Sequence, residues 1–122
     1  MVELIWESDG IVRRFSGTVS AEEMNASAVS VQSDARFDDL RYIIHDFTAC
    51  CEVSASEDDL EFMAARASYA VNMLRSFKIV FVGDHAVVRN LVRIFNQLGI
   101  SSHPCVFVDS LEEARAFVSG KA

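Results

Sequence analysis

Four times along the chain a run of branched and aromatic residues gives way to a polar cap followed by a helical pattern, and this recurrence restricts the fold more than anything else in the sequence. Ser20 with Glu23 and Ser110 with Glu113 each have the spacing of a capping box, in which a serine hydroxyl and a glutamate satisfy one another's exposed backbone N–H groups. Ser56 ahead of Glu57-Asp58-Asp59 offers an N-cap plus acids that suit the positive end of a helix dipole, and Asp84 is placed to cap a further helix. Behind these caps, apolar residues recur at three-and-four spacing. The faces are Met24, Ala28 and Val31; then Leu60, Met63, Ala64, Ala67, Val71 and Leu74; then Val87, Val88, Leu91, Ile94, Phe95 and Leu98, closed by Gly99; and finally Leu111, Ala114, Phe117 and Val118.

Ahead of the caps lie strand-like runs: VELIWE and IVRRFSG, then Leu40 to Phe47, Phe77 to Val82 and Cys105 to Val108. Ser8-Asp9-Gly10 between the first two predicts a hairpin, since Asp-Gly tolerates the positive φ of a tight turn. The order is therefore β-β-α-β-α-β-α-β-α. Alternating strands and helices predict a mostly parallel five-stranded α/β sheet with helices on both faces, its first strand antiparallel because of the hairpin.

A chain of 122 residues, 51% of them apolar, can bury a continuous core, and we expect one domain over residues 1–122. A formal charge of −7 disfavours nucleic acid and anionic lipid as partners, because either needs a clustered basic surface. No apolar run approaches the ~20 residues of a membrane helix. The MVELIWESDG start carries acids where a secretory signal would be basic, and three cysteines without framework spacing fit a reducing compartment. The expectation is a cytoplasmic protein without membrane insertion.

The chemistry-bearing residues concentrate in RYIIHDFTACCEVSAS, from Arg41 to Ser56. In a parallel α/β sheet the chain leaves each strand at one common edge, where binding sites gather. That edge should carry Thr48, Cys50 and Cys51 together with Asp84 and His85. Adjacent cysteines lack the two-to-four spacing of zinc ligands, and His103, ahead of its strand, belongs at the opposite edge, so no metal site is expected. His45 and Asp46 alternate to opposite faces and cannot orient one another. Pairing Cys51 with His85 is the remaining nucleophile–base arrangement, and no nucleophile motif stands beside it, so no catalytic residue is expected. A phosphate cradle is missing its glycines, and Glu52, Glu57, Asp58 and Asp59 would repel an anion there; no cofactor is expected. Phe62, Met63 and Phe95 are candidate walls of an apolar pocket. Arg66, Arg75, Arg89 and Arg93 read as a solvated helix surface.

The initial strand pair, the alternation that follows and the closing PCVFVDSLEEARAFV together resemble the STAS-like domain of bacterial anti-sigma factor antagonists, the SpoIIAA-like type, over nearly the whole chain. The resemblance implies a bacterial, noncatalytic regulatory module that docks a protein partner and is switched by phosphorylation of a serine at the helix start after the Leu40–Phe47 strand. Ser54 and Ser56 occupy that place. The family's Asp-Ser-Ser/Thr-Gly signature is absent, since the loop reads FTACCEVSASEDD, and capping accounts for Ser56 without modification. A homodimer is compatible with this layout. Two alternatives remain open: a binding protein for a small apolar or lipid-like ligand, which some relatives of the layout also imply, and a cysteine-dependent enzyme.

Overall fold

The computed structural model describes residues 1–71, 77–83, 86–97 and 105–120. The elements run β1 (Val2–Trp6), β2 (Gly10–Ser20), α1 (Ala21–Ser33), a 3-10 turn (Ala35–Asp39), β3 (Tyr42–Ser54), α2 (Glu57–Val71), β4 (Lys78–Val82), α3 (Ala86–Gln97), β5 (Cys105–Val108) and α4 (Leu111–Val118). Strand and helix order match the sequence reading. Leu74, Arg75, Asp84, His85, Leu98, Gly99 and His103 lie outside the described residues, as do the side chains of Val71, Val87 and Phe95.

The five strands lie side by side in chain order, β1 antiparallel to β2 and every other pair parallel, so the sheet is mixed rather than wholly parallel. This order decides where the helices go. Each parallel connection steps one strand in the same direction, and right-handed crossovers that never reverse must all lie on one face. Met24 and Val31 of α1, Leu60 and Ala64 of α2 and Val88, Leu91 and Ile94 of α3 accordingly share a core with Ile11, Phe15, Ile43, Phe47, Ile79 and Phe81. Among the described residues only α4 covers the other face, where Leu111, Ala114, Phe117 and Val118 pack on Val12, Ile44, Val80 and Val82. Helices do cover both faces, but three to one, and the crossovers account for only one of the two.

Caps form at the three expected serines, and the one expected at Asp84 lies outside the described residues. Ser20 Oγ accepts from Glu23 N at 3.1 Å, Ser56 Oγ from Asp59 N at 3.1 Å, and Ser110 Oγ from Glu113 N at 3.1 Å. Asp59 completes the second box by accepting from Ser56 N at 3.0 Å. The hairpin also forms, with Glu7 N donating to Gly10 O at 2.8 Å, but glycine is required there for a different reason. Gly10 does not adopt a positive φ; a Cβ at this position would lie 2.4 Å from the Tyr42 ring, which covers it from the adjacent strand. Tyr42 is fixed in turn by its hydroxyl, which donates to Glu7 Oε1.

The largest departure is the length of β3. It does not end at Phe47 but continues to Ser54, paired with the second half of β2 up to Ser20. Two register shifts, between Arg14 and Ser16 and between Gly17 and Thr18, each place an extra residue on β3. Gly17 takes a φ of +65°, a conformation glycine adopts without strain, beside the second shift.

Candidate functional site

The pairing of β4 with β3 stops at Val82 opposite Asp46, whereas β2 follows β3 to Ser54. Past Asp46 the two central strands therefore project as a ribbon, and among the described residues no strand pairs with the outer side of β3. Asp46, 3% exposed, shapes the start of this overhang. Its Oδ1 accepts from Thr48 N at 3.0 Å and from Thr48 Oγ1 at 2.7 Å, closing a local loop across the first bulge, while its Oδ2 lies 3.9 Å from Arg14 Nε. The sequence reading correctly separated Asp46 from His45; the carboxylate shapes the backbone instead of orienting an imidazole.

Along the overhang Thr48, Cys51, Glu52 and Ser54 are exposed. Cys50 is a correction to the expected edge. It is buried in the core beside Val19 and Phe47, with its Sγ 3.6 Å from Glu52 O. The first bulge, ahead of Ala49, breaks the simple alternation and puts Cys50 on the inward face of Phe47, and the second leaves Cys51 as the extra residue outside. Burial pushes the Cys50 thiol above its ordinary range, opposite to what a nucleophile needs. Ser54 ends the strand and Ser56 caps α2, so both candidate phosphorylation sites sit at the helix entrance. Asp84 and His85, the other members expected at this edge, are outside the described residues.

Phe62 also needs correction as a pocket residue. Two positions beyond Leu60, it falls about 200° round the helix from the buried face and is 64% exposed. It borders a shallow surface depression with Ala21, Glu22 and Asn25 of α1 and Asp59 of α2, beside the same sheet edge as the overhang. Met63 does line an internal cavity, about 70 Å³, between the sheet and α1–α2. Met24, Phe37, Phe77 and Leu91 contribute further apolar wall.

The polar part of that wall went unrecognised in the sequence. Arg13 of β2 and His45 of β3 are register partners on the three-helix face, each only 7% exposed. Arg13 Nη2 donates to Met24 O at 3.1 Å and to Ser27 Oγ at 2.5 Å, while Nη1 lies 3.3 Å from His45 Nδ1. Because arginine can only donate, Nδ1 must be the acceptor, which puts the ring proton on Nε2. Desolvation, helped by the Arg13 charge, holds His45 well below the usual histidine range and so neutral. Burial brings the guanidinium down to about 10, still charged at neutral pH. The imidazole stacks on Phe81 with centroids 4.5 Å apart. It is thus a core histidine engaged with an arginine, without a thiol among its contacts.

On the helix surface Arg93 pairs with Glu57 at 2.9 Å and Arg66 lies 3.4 Å from Asn25 Oδ1, as expected of solvated side chains. Among the described residues no group of three histidine, cysteine or acidic side chains could hold a metal ion, and no helix is long and apolar enough to cross a membrane.

No family model and no curated protein matches the chain. Solved structures do. The anti-sigma factor antagonist SpoIIAA in its unphosphorylated form aligns over 100% of both chains with a TM-score of 0.66 at 12% identity. The Bacillus cell fate determinant SpoIIAA in its phosphorylated form aligns over 97% of this chain and 99% of its own, with a TM-score of 0.66 at 13% identity. An uncharacterised DUF3478-family protein from Shewanella loihica, described as having a SpoIIAA-like fold, aligns over 97% of this chain and 92% of its own, with a TM-score of 0.57 at 11% identity. The fold is SpoIIAA-like.

Proposed function

We propose that the chain is a noncatalytic regulatory module that acts in the cytoplasm of a bacterium by docking a protein partner along the β3 overhang. The observation that carries this reading is the β3 overhang past Asp46, along which Thr48, Cys51, Glu52 and Ser54 are exposed and β4 no longer pairs. Such an edge can take an extended segment through main-chain hydrogen bonds while side chains on its flanks supply selectivity. Exposed Phe62, beside the starts of α1 and α2, adds an apolar anchor of the kind that concentrates binding energy at interfaces. The structural neighbour named as an anti-sigma factor antagonist supports a regulatory role, and the phosphorylated form named for the second supports a switch by phosphorylation. Here Ser54 is the freer of the two candidates, because Ser56 Oγ already accepts a backbone N–H in the α2 cap.

The test is comparative affinity capture from a native bacterial extract, using wild type, a Thr48→Pro/Cys51→Arg edge variant and a Tyr69→Ser control on exposed α2 surface. A partner held by wild type and control but lost by the edge variant supports the reading. Equal capture by all three, with the edge variant folded by circular dichroism, refutes it. A homodimer is the form of this reading in which the partner is a second copy; sedimentation of wild type against the edge variant identifies it.

A further inference from the structure

We propose that the cavity between the sheet and the α1–α2 pair binds a small organic monoanion, a short-chain carboxylate, with Arg13 as its counter-charge. This inference stands apart from the docking reading and rests on different residues.

Arg13 is a buried cation whose surroundings are all neutral. Its contacts are the Met24 carbonyl, the Ser27 hydroxyl, the unprotonated nitrogen of His45 and the face of the Phe15 ring, 5.0 Å from the guanidinium carbon to the ring centroid. Among the described residues no carboxylate reaches it, and its Nε–H is buried without any partner. Ions are seldom removed from water without a counter-charge, and an unmade hydrogen bond to a charged group adds to the cost. The unpartnered donor belongs to a side chain that lines the cavity.

The cavity exists because small residues stand where α1 and α2 face the aromatic sheet. Ala28, Ala64 and Ala67 leave room that Met24, Phe37, Met63, Phe77 and Leu91 do not fill. Ala28 and Gln32 on α1, and Met63 and Ala67 on α2, are all half-buried. Each pair is four residues apart and so shares one helix face, which marks the α1–α2 seam as the way in.

Size and charge select the ligand class. A volume near 70 Å³ is roughly half the ~150 Å³ that admits the six carbons of a benzene ring, so a one- or two-carbon acid, of three or four non-hydrogen atoms, is the right scale. The wall is mainly apolar and suits an alkyl group. One guanidinium balances one negative charge, whereas the desolvation penalty of an ion rises steeply with its charge, which disfavours a phosphate dianion. Arginine N–H groups match carboxylate oxygens closely, and His45, neutral with its proton on Nε2, supplies a further donor in the wall.

The test uses the full chain in carboxylate-free buffer, titrated with sodium formate and acetate and with methanol and ethanol, read by calorimetry and by the methyl resonances of Met24 and Met63. The expected result is saturable binding of the acids that shifts both methyls, with the alcohols weaker by at least about tenfold. Arg13→Met should weaken the acids by a similar factor. Ala67→Leu, which fills the cavity and leaves Arg13 in place, should do the same. Alcohols that bind as tightly as the acids, undiminished affinity in folded Arg13→Met, or no saturable binding of either acid would each overturn the proposal.

Discussion

Arg13→Met offers a direct measure of what the buried cation does to stability, because two large contributions oppose one another. Desolvation draws the Arg13 pKa from 12.5 to about 10, and at ~1.4 kcal/mol per pH unit the charged form is disfavoured in the fold by about 3 kcal/mol. Methionine removes that penalty and approximates the length of the apolar stem. The opposing loss is local. Ser27 Oγ still donates to Met24 O at 2.9 Å, so those groups keep a bond, but His45 Nδ1 loses its donor, at a cost of about 1–3 kcal/mol. The difference predicts a variant that equals or exceeds wild type by up to about 2 kcal/mol, where truncating an ordinary buried side chain of this size would destabilise by a similar amount. Urea denaturation at neutral pH in carboxylate-free buffer measures it, with the m-value checked to confirm that the unfolding transition is unchanged. A loss of more than about 1 kcal/mol would refute the reasoning, because the hydrogen bonds of Arg13 would then outweigh its desolvation.

Gly10→Ala should destabilise by about 2 kcal/mol, because the added methyl meets a Tyr42 ring that Glu7 holds in place; a Tyr42→Ala background should remove most of that loss. In a thiol titration of the folded chain, Cys51 should react first. Cys50 and Cys105 should wait for denaturant, since both are buried, with Cys50 raised by burial and Cys105 pushed up to about 11 by burial. For Tyr42, burial first and the Glu7 carboxylate second raise the folded pKa to about 12 against a reference near 10. The neutral phenol therefore stabilises the fold fully below pH 10, and that stability is lost as the pH rises towards 12. Melting curves at pH 9 and pH 11.5 should show a smaller alkaline drop in Tyr42→Phe than in wild type, and equal drops would exclude this assignment.

What was legible in the sequence is what local chemistry dictates. Ser20-x-x-Glu23 and Ser110-x-x-Glu113 fix helix starts by hydrogen bonds within four residues, so no tertiary context was needed to find them. Cys105 reads as a small buried strand residue because its neighbours are apolar, and it is buried against Asn96 and Val92 of α3. The distribution of helices was less accessible, since it follows from strand order, which local patterns do not encode. Three crossovers stepping the same way leave one face, among the described residues, to α4. The second half of β3 was missed because TACCEVS alternates poorly: two bulges interrupt its period, and one side of the ribbon is wet. The same interruption reversed the expectation for Cys50, and a pattern argument that assumes strict alternation fails wherever a bulge intervenes.

Arg13 was missed for a subtler reason, and the signal was present. Arg13 and Arg14 are adjacent in IVRRFSG, and adjacent strand residues point to opposite faces, so a central strand covered on both sides must accommodate a guanidinium on each. The two faces treat them differently. Arg14 reaches acids, lying 3.7 Å from Glu3 and 3.9 Å from Asp46, and remains exposed. Arg13 turns beneath three helices, where the nearest polar groups are a carbonyl, a hydroxyl and an imidazole. Charge counting along the chain treats the pair alike; only the covering elements distinguish a screened surface ion from an interior one without a counter-charge. A dipeptide of like charges in an internal strand is therefore informative once the sheet is known to be covered on both sides, since at least one of the two must find a neutralising partner in the fold, shift its equilibrium, or present an unmet charge to whatever enters beside it.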